Sequence, residues 1–342
     1  MNNFVVNTDN TYFLNDIYKD IDILCSKYNH ILTKEIIGKS VEVRDIIALK
    51  ICSNDRKSSA YTGPDKPALL LTGGIHARED FSVMLVMKMI DYYCCYYNEE
   101  KSPEGYDVKK IIDSCSIHFI PVSNPDGLNI VHHGLKASSN YNKLKEMKIW
   151  GENHSFWKSN ANGVDLNKNF DDGNWDIRVC VPGTDVPCSD RFKGFKPDSE
   201  PETNALINYC KAYNFSMMIS YHCSGNCTFW ADSTTHHLFN GLDEDIIDEF
   251  SSKFIYRKTK ISKDPAIYGC GFENWFRKKM KRPAFCIELS PFVEGGKQHS
   301  DSMFNELVWD YAKCTGLFFG EKAIKIYSEI NGDAEKYAAL TK

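Results

Sequence analysis

Several runs of this chain are apolar at consecutive positions instead of alternate ones, and that pattern limits the fold more than any other feature. Residues 69–75, 117–122 and 215–221 read as strands of this kind, and Phe285-Cys286-Ile287-Glu288-Leu289 is another, broken by one glutamate. A strand apolar towards both faces of its sheet needs cover on both sides, since either face left to water would expose a contiguous apolar surface. Residues 46–51 add a further strand, and residues 53–66 read as a polar loop. Between the strands lie segments of helical period. Residues 12–28 put Phe13, Ile17, Ile21 and Leu24 on one side of a helix, and residues 81–97 form a second, more apolar one. Strands alternating with helices predict an α/β sheet covered on two faces, with the loops at its strand ends carrying the site. The stretch 171–197, rich in Gly, Pro and Asp, reads as a long loop, and a loop of that size in a compact domain is usually a functional surface feature. It ends in Ser199-Glu200-Pro201-Glu202, a capping-box pattern that predicts a helix running to residue 213. With no repeat, low-complexity tract or linker, one domain is expected over residues 1–342, its core spanning about 8–325.

Composition excludes some functions. Of 342 residues, 42% are hydrophobic and 13% aromatic, enough for a substantial core. The net charge is −5 and basic residues are spread along the chain, so nothing suggests a nucleic-acid partner. The densest basic run, Lys278-Lys279-Met280-Lys281-Arg282, reads as a solvated helix end. The apolar helix at 81–97 carries Lys88 and Asp91 and is too short and too polar to span a bilayer, so no membrane partner is expected. The first 25 residues are polar and acidic, unlike a secretory signal. The 13 cysteines are an odd number without a regular framework, and Cys94 and Cys95 are adjacent. Free thiols in a reducing compartment, the cytosol, account for this better than disulfides do.

The chemistry concentrates at a few positions. In Gly74-Ile75-His76-Ala77-Arg78-Glu79-Asp80, His76 and Glu79 follow an apolar strand and stand three positions apart, a spacing that lets both grip one divalent ion. Such a pair often arises by chance on a surface. A third candidate, His222, ends the strand at 215–221. Two imidazoles and one carboxylate leave a fourth position open for water, which is the catalytic pattern of a zinc site. Glu288 interrupts its apolar strand, and an unpaired buried carboxylate is costly, so it is either paired with Lys281 or Arg282 or sits where chemistry needs it. Beside a zinc site it could take a proton from an attacking water and pass it to a leaving amine. Cys223 and Cys227 are less suited as ligands, because His222 already has partners.

The runs Gly73-Gly74-Ile75-His76-Ala77-Arg78-Glu79, Asn124-Pro125-Asp126-Gly127, Trp157-Lys158-Ser159-Asn160 through Asp165-Leu166-Asn167-Lys168-Asn169-Phe170, Ser199-Glu200-Pro201-Glu202-Thr203, Ile219-Ser220-Tyr221-His222 and the interval from Trp275 to Glu288 occur in that order. Together with Ile37-Gly38-Lys39-Ser40 near the start, they make the chain resemble the zinc metallocarboxypeptidases of the carboxypeptidase A type, in particular the bacterial branch of γ-D-glutamyl-diamino-acid peptidases. The resemblance implies a single α/β/α sandwich around a mixed, largely parallel eight-stranded sheet. It also implies one Zn2+ per chain, held by His76, Glu79 and His222, with Glu288 as general base and Lys158 beside the developing oxyanion. Asp165 would accept a hydrogen bond from the free imidazole nitrogen of His76 and so fix its tautomer.

Substrate residues follow from the same resemblance, with one departure. Family members that act on a free C-terminal carboxylate hold it with an Asn-Arg pair, and a second Arg polarises the carbonyl. The matching positions here are Asn167-Lys168 and Lys158. Lysine is a point charge without the planar fork of arginine, so Lys168 puts tight recognition of that carboxylate in question. Arg78 is a further candidate anchor. Glu273, two positions before Trp275, falls at the family's pocket floor and would favour a basic group there, while Tyr268 takes the place of the tyrosine that covers the substrate. The expectation is a zinc peptidase cutting an amide bond near a peptide terminus, with a muropeptide stem as the preferred substrate. A carboxypeptidase releasing C-terminal basic residues is the alternative, and a non-catalytic peptide-binding module a third.

Overall fold

The computed structural model describes residues 4–53, 66–262 and 264–329. Its centre is an eight-stranded sheet: β1 (Leu32–Lys39), β2 (Asp45–Ile51), β3 (Ala68–Thr72), β4 (Ser116–Ile120), β5 (Phe215–Cys223), β6 (Cys227–Phe229), β7 (Arg257–Lys258) and β8 (Ala284–Leu289), in the order β1-β2-β4-β3-β5-β8-β6-β7. β4, β3, β5 and β8 run parallel in the middle, β1 and β2 close one edge antiparallel, and β6 pairs antiparallel with β8. The sheet is therefore mixed and parallel at its heart, as the two-sided apolar strands require.

Alternate side chains of these strands feed two separate cores. Leu69, Leu71, Ile117, Phe119, Met217, Ile219, Phe285 and Ile287 pack under the helices Leu14–Lys27, Asp80–Asn98, Val108–Ser114, Leu242–Lys253 and Thr315–Glu329. On the other face, Leu70, Ile120, Phe215, Met218 and Ala284 meet the Pro201–Ala212 helix, the Phe272–Trp275 turn and Leu166 and Phe170. Every residue of β3, β4 and β5 is buried, which explains why these strands read as largely apolar. No described helix is long and apolar enough to cross a membrane, and all 13 cysteines are free thiols.

Several local expectations need correction. The first helix buries Leu14, Ile17, Ile21 and Leu24, whereas Phe13 caps it from outside, 37% exposed, its ring stacked on His133. The strand β1 was not legible because its outer positions are largely exposed and its residues mixed. The Val108–Ser114 helix, only 7 residues long, was also missed. The pattern at 199–202 does start a helix, Pro201–Ala212, but not by a capping box. Ser199 donates instead to Glu200, and Glu202 accepts the Val41 N–H and the Asn160 amide. Residues 54–65 of the expected polar loop lie outside the described residues. The stretch 171–197 carries neither helix nor strand, as its composition predicts.

Candidate metal centre and substrate cleft

The parallel strands β3, β5 and β8 lie side by side and end at the same edge of the sheet, which is where open α/β sheets place their ligands. At the end of β3 the chain must turn at once, and Gly73-Gly74 makes this possible. A Cβ on Gly73 would lie 2.6 Å from the Ser82 carbonyl oxygen, and Gly74 has φ +59°, a conformation glycine adopts without strain. The turn carries His76 and Glu79 over the strand ends. Asn124 fixes it from the side: its Oδ1 accepts the Gly127 N–H (2.9 Å) at the start of the Pro125–His133 helix, while its amide donates to Ser159 O (3.1 Å). The Ala77 N–H donates to Lys158 O (3.1 Å), so the His76 turn and the Lys158 segment are joined directly.

His222, near the end of β5, pairs in register with Glu288 of β8. Its Nδ1 lies 3.2 Å from His76 Nδ1 and 3.0 Å from Glu79 Oε2, and His76 Nδ1 lies 2.9 Å from Glu79 Oε1. Two imidazole nitrogens bound to one tetrahedral zinc would stand about 3.3 Å apart, given Zn–N bonds of about 2.0–2.1 Å. The donor set and its spacing thus fit zinc. The other nitrogens are also engaged: His76 Nε2 is 3.2 Å from Asp165 Oδ1, and His222 Nε2 is 3.0 Å from Ser220 Oγ. All three expected ligands are buried. Among the described residues the only other grouping able to hold a metal is His222, Cys286 and Glu288, and neither Cys223 nor Cys227 enters either group.

Charge is concentrated here. Burial opposes ionisation of Glu79, yet His76 and Lys158 hold its carboxyl well below the usual range, and Lys158 Nζ stands 3.2 Å from Glu79 Oε1. Burial likewise opposes ionisation of Asp165, which His76 and Lys168 hold far down. Glu288 behaves oppositely: burial and then the Glu79 carboxylate push it up to about 7. Its Oε2 is shut off from solvent and, among the described residues, without a hydrogen-bond partner.

A cleft of about 850 Å³ opens beside these groups, lined by His76, Lys158, Asn167, Lys168, His222, Tyr268, Glu273 and Glu288 among others. Glu273 lies in its wall with Oε2 buried and unpartnered, and Tyr268, 48% exposed, lies near Phe229. Arg78 is the exception among the expected substrate residues. It lines a separate hollow of about 300 Å³ with Phe156 and Gly296, so it does not join the main cleft. Sequence reading missed Arg178, which also lines the cleft. It sits inside the irregular 171–197 stretch, where no period or motif marks a residue.

A zinc carboxypeptidase family model matches residues 17–294. The chain is 26% identical over 290 residues to the gamma-D-glutamyl-L-diamino acid endopeptidase 1 of Lysinibacillus sphaericus, a match covering 83% of this chain and 67% of that protein. It is 27% identical over 243 residues to carboxypeptidase A2 of Rattus norvegicus, covering 68% of this chain and 49% of the relative, so it aligns with about half of that longer protein. The structure of bovine thrombin-activatable fibrinolysis inhibitor, solved in complex with tick carboxypeptidase inhibitor, superposes with a TM-score of 0.67 at 19% identity, covering 94% of this chain and 99% of the other; it shares the fold. The match from 17 to 294 takes in His76, Glu79, His222 and Glu288 alike: the chain belongs to the zinc carboxypeptidase family and is a zinc metallopeptidase.

Proposed function

We infer that this peptidase hydrolyses an amide bond near a peptide terminus, and that its preferred substrate is a cell-wall muropeptide cut between γ-D-glutamate and a diamino acid. The observation that carries the reading is the meeting of His76, Glu79 and His222 at one point, with Glu288 beside them and a cleft at hand. The muropeptide preference draws on the likeness to the gamma-D-glutamyl-L-diamino acid endopeptidase.

His76, Glu79 and His222 would hold the zinc, which supplies a Lewis acid and an acidified water. Asp165, 3.2 Å from His76 Nε2, keeps that ring in the tautomer whose Nδ1 lone pair faces the cluster. Glu288 accepts the proton of the attacking water and then delivers it to the leaving nitrogen as the C–N bond breaks. Lys158 sets its ammonium where negative charge builds on the carbonyl oxygen. Asn167 and Lys168 face the leaving residue, and Tyr268 at the cleft mouth closes over it.

Replacing the base without disturbing the ligands tests this assignment. Glu288→Gln should keep one zinc per chain by elemental analysis and lose about 10²–10⁴-fold in turnover of a γ-D-glutamyl-diamino-acid peptide, the usual worth of general acid–base catalysis. Retained turnover would reject the mechanism.

A second reading, release of C-terminal basic residues, is favoured by one observation: the unpartnered Glu273 carboxylate in the cleft wall. Cleavage confined to linear peptides, and abolished by blocking their C-terminal carboxylate, would select it over the muropeptide reading.

A further inference from the structure

The 171–197 stretch contributes a wall to the cleft. Arg178 Nη1 donates to the Gly269 carbonyl, and the Val179 N–H donates to Ala266 O (3.1 Å). From behind, Lys193 Nζ donates to Trp175 O (2.7 Å) and Arg178 O (3.0 Å). Arg178 is therefore fastened to the loop that carries Tyr268 and is not a freely swinging surface side chain. One guanidinium nitrogen is used in that tie; among the described residues no carboxylate pairs with Arg178, which leaves its remaining N–H groups for something else.

Its neighbours Lys168 and Asn167 likewise have no paired carboxylate among the described residues, although Asp165 and Glu273 are near enough to act on the Lys168 charge. Among the described residues Lys168 Nζ has only Asn167 O, at 3.4 Å, and no carboxylate lies within ion-pair distance of it. Asn167 spends Oδ1 on the Phe272 N–H (2.8 Å), which leaves its amide nitrogen as a donor without a partner among the described residues. Burial, and then the Arg178 guanidinium, bring the Lys168 ammonium below its ordinary value against the pull of Asp165. Two cations and an amide donor thus line the half-buried cleft alongside the unpartnered Glu273 carboxylate, in a chain whose net charge is −5. Like charges sharing such a wall are unfavourable until an anion pairs with them directly. Lys168 alone offers a point charge, whereas a guanidinium adds the fork that matches a carboxylate.

We propose that Arg178 is a specificity-determining residue that grips a carboxylate of the leaving residue, together with Lys168 and Asn167. The inference rests on the substrate reading of this cleft given above. The shared chemistry is a carboxylate on the amine side of the cut bond, either the α-carboxylate of a terminal residue or the side-chain carboxylate of a diamino dicarboxylic acid. The fork absent at position 168 is thereby supplied from a different part of the chain.

The test compares the zinc-loaded wild type, Arg178→Gln and Arg178→Lys on γ-D-glutamyl peptides whose leaving residue is lysine, lysinamide or meso-diaminopimelate. The wild type should favour a carboxylate-bearing leaving residue by roughly tenfold to a hundredfold in kcat/KM, the usual worth of charged hydrogen bonds. Arg178→Gln should abolish that ratio, mainly through KM, and Arg178→Lys should restore only part of it. A ratio lost between lysine and lysinamide assigns the α-carboxylate; one lost between diaminopimelate and lysine assigns the side-chain carboxylate. Equal losses on all three peptides would make Arg178 a mere brace for Gly269 and overturn the proposal, as would an undiminished ratio. If no peptide is cut by the wild type, the muropeptide reading fails by itself. Calorimetric titration with free lysine, lysinamide and meso-diaminopimelate then decides the role of Arg178. Preference for the carboxylate ligands that disappears in Arg178→Gln upholds it, and its absence from the wild type or persistence in the variant refutes it.

Discussion

At the scale of single residues, the ligands were legible because their chemistry forces a pattern. His76 and Glu79 had to sit three positions apart behind a strand, and His222 had to stop another strand, for three donors to meet within hydrogen-bonding distance of one another. Glu288 was legible for a different reason: one carboxylate in an otherwise apolar strand is a cost that needs a cause. Asp165 shows how far such reasoning carries. Its Oδ1 takes His76 Nε2 at 3.2 Å and the Asn167 N–H at 3.1 Å, so it orients a ligand and shapes the substrate segment together. Asp165→Asn should weaken zinc binding by about 10- to 100-fold, measured by competition with a chromophoric chelator. Unchanged affinity would mean that His76 needs no such partner. Arg178 was not legible, because a residue in an irregular stretch gains its neighbours only from the fold; Gly269, its acceptor, is 91 positions away.

At the scale of elements, the buried strands could be read and the edges could not. β3, β4 and β5 are buried along their whole length, so their apolar runs announce them, while β1 is mostly exposed and leaves no such trace. Polar residues inside buried strands need partners, and β4 has one. The His118 Nδ1 lies 2.7 Å from the Tyr209 hydroxyl of the Pro201–Ala212 helix, which ties that helix to the sheet. Burial, and then the charge of Lys50, lower the His118 pKa to about 3. A histidine kept neutral by folding contributes stability that is complete above its ordinary pKa near 6.5 and is lost as pH falls from there towards 3. Between pH 7 and pH 5 this one group should remove about 2 kcal/mol, from the separation of pH 5 and the ordinary value at about 1.36 kcal/mol per unit. Urea unfolding of the wild type and His118→Asn at both pH values checks it. The variant, although weaker at pH 7, should lack that part of the pH dependence; parallel losses would show that His118 does not titrate on unfolding.

At the scale of the whole molecule, the strand order does the assembling. Because β3, β5 and β8 are adjacent and parallel, ligands from positions 76, 79 and 222 and the carboxylate at 288 reach one edge of one sheet. Without a cation, that edge leaves Glu79 and the two histidines to satisfy one another in a buried setting, so bound zinc should stabilise the native state by mass action. Stripping it with a chelator should abolish activity and lower Tm by several degrees, both restored by adding zinc; an unaffected Tm would show that the site adds nothing to the fold. The most direct measurement is X-ray absorption at the zinc edge of the loaded protein, since 13 free cysteines offer zinc a rival donor. A first shell of nitrogen and oxygen alone, at about 2.0–2.2 Å, is what His76, Glu79 and His222 predict. A sulfur shell at about 2.3 Å would place the metal elsewhere and contradict the account.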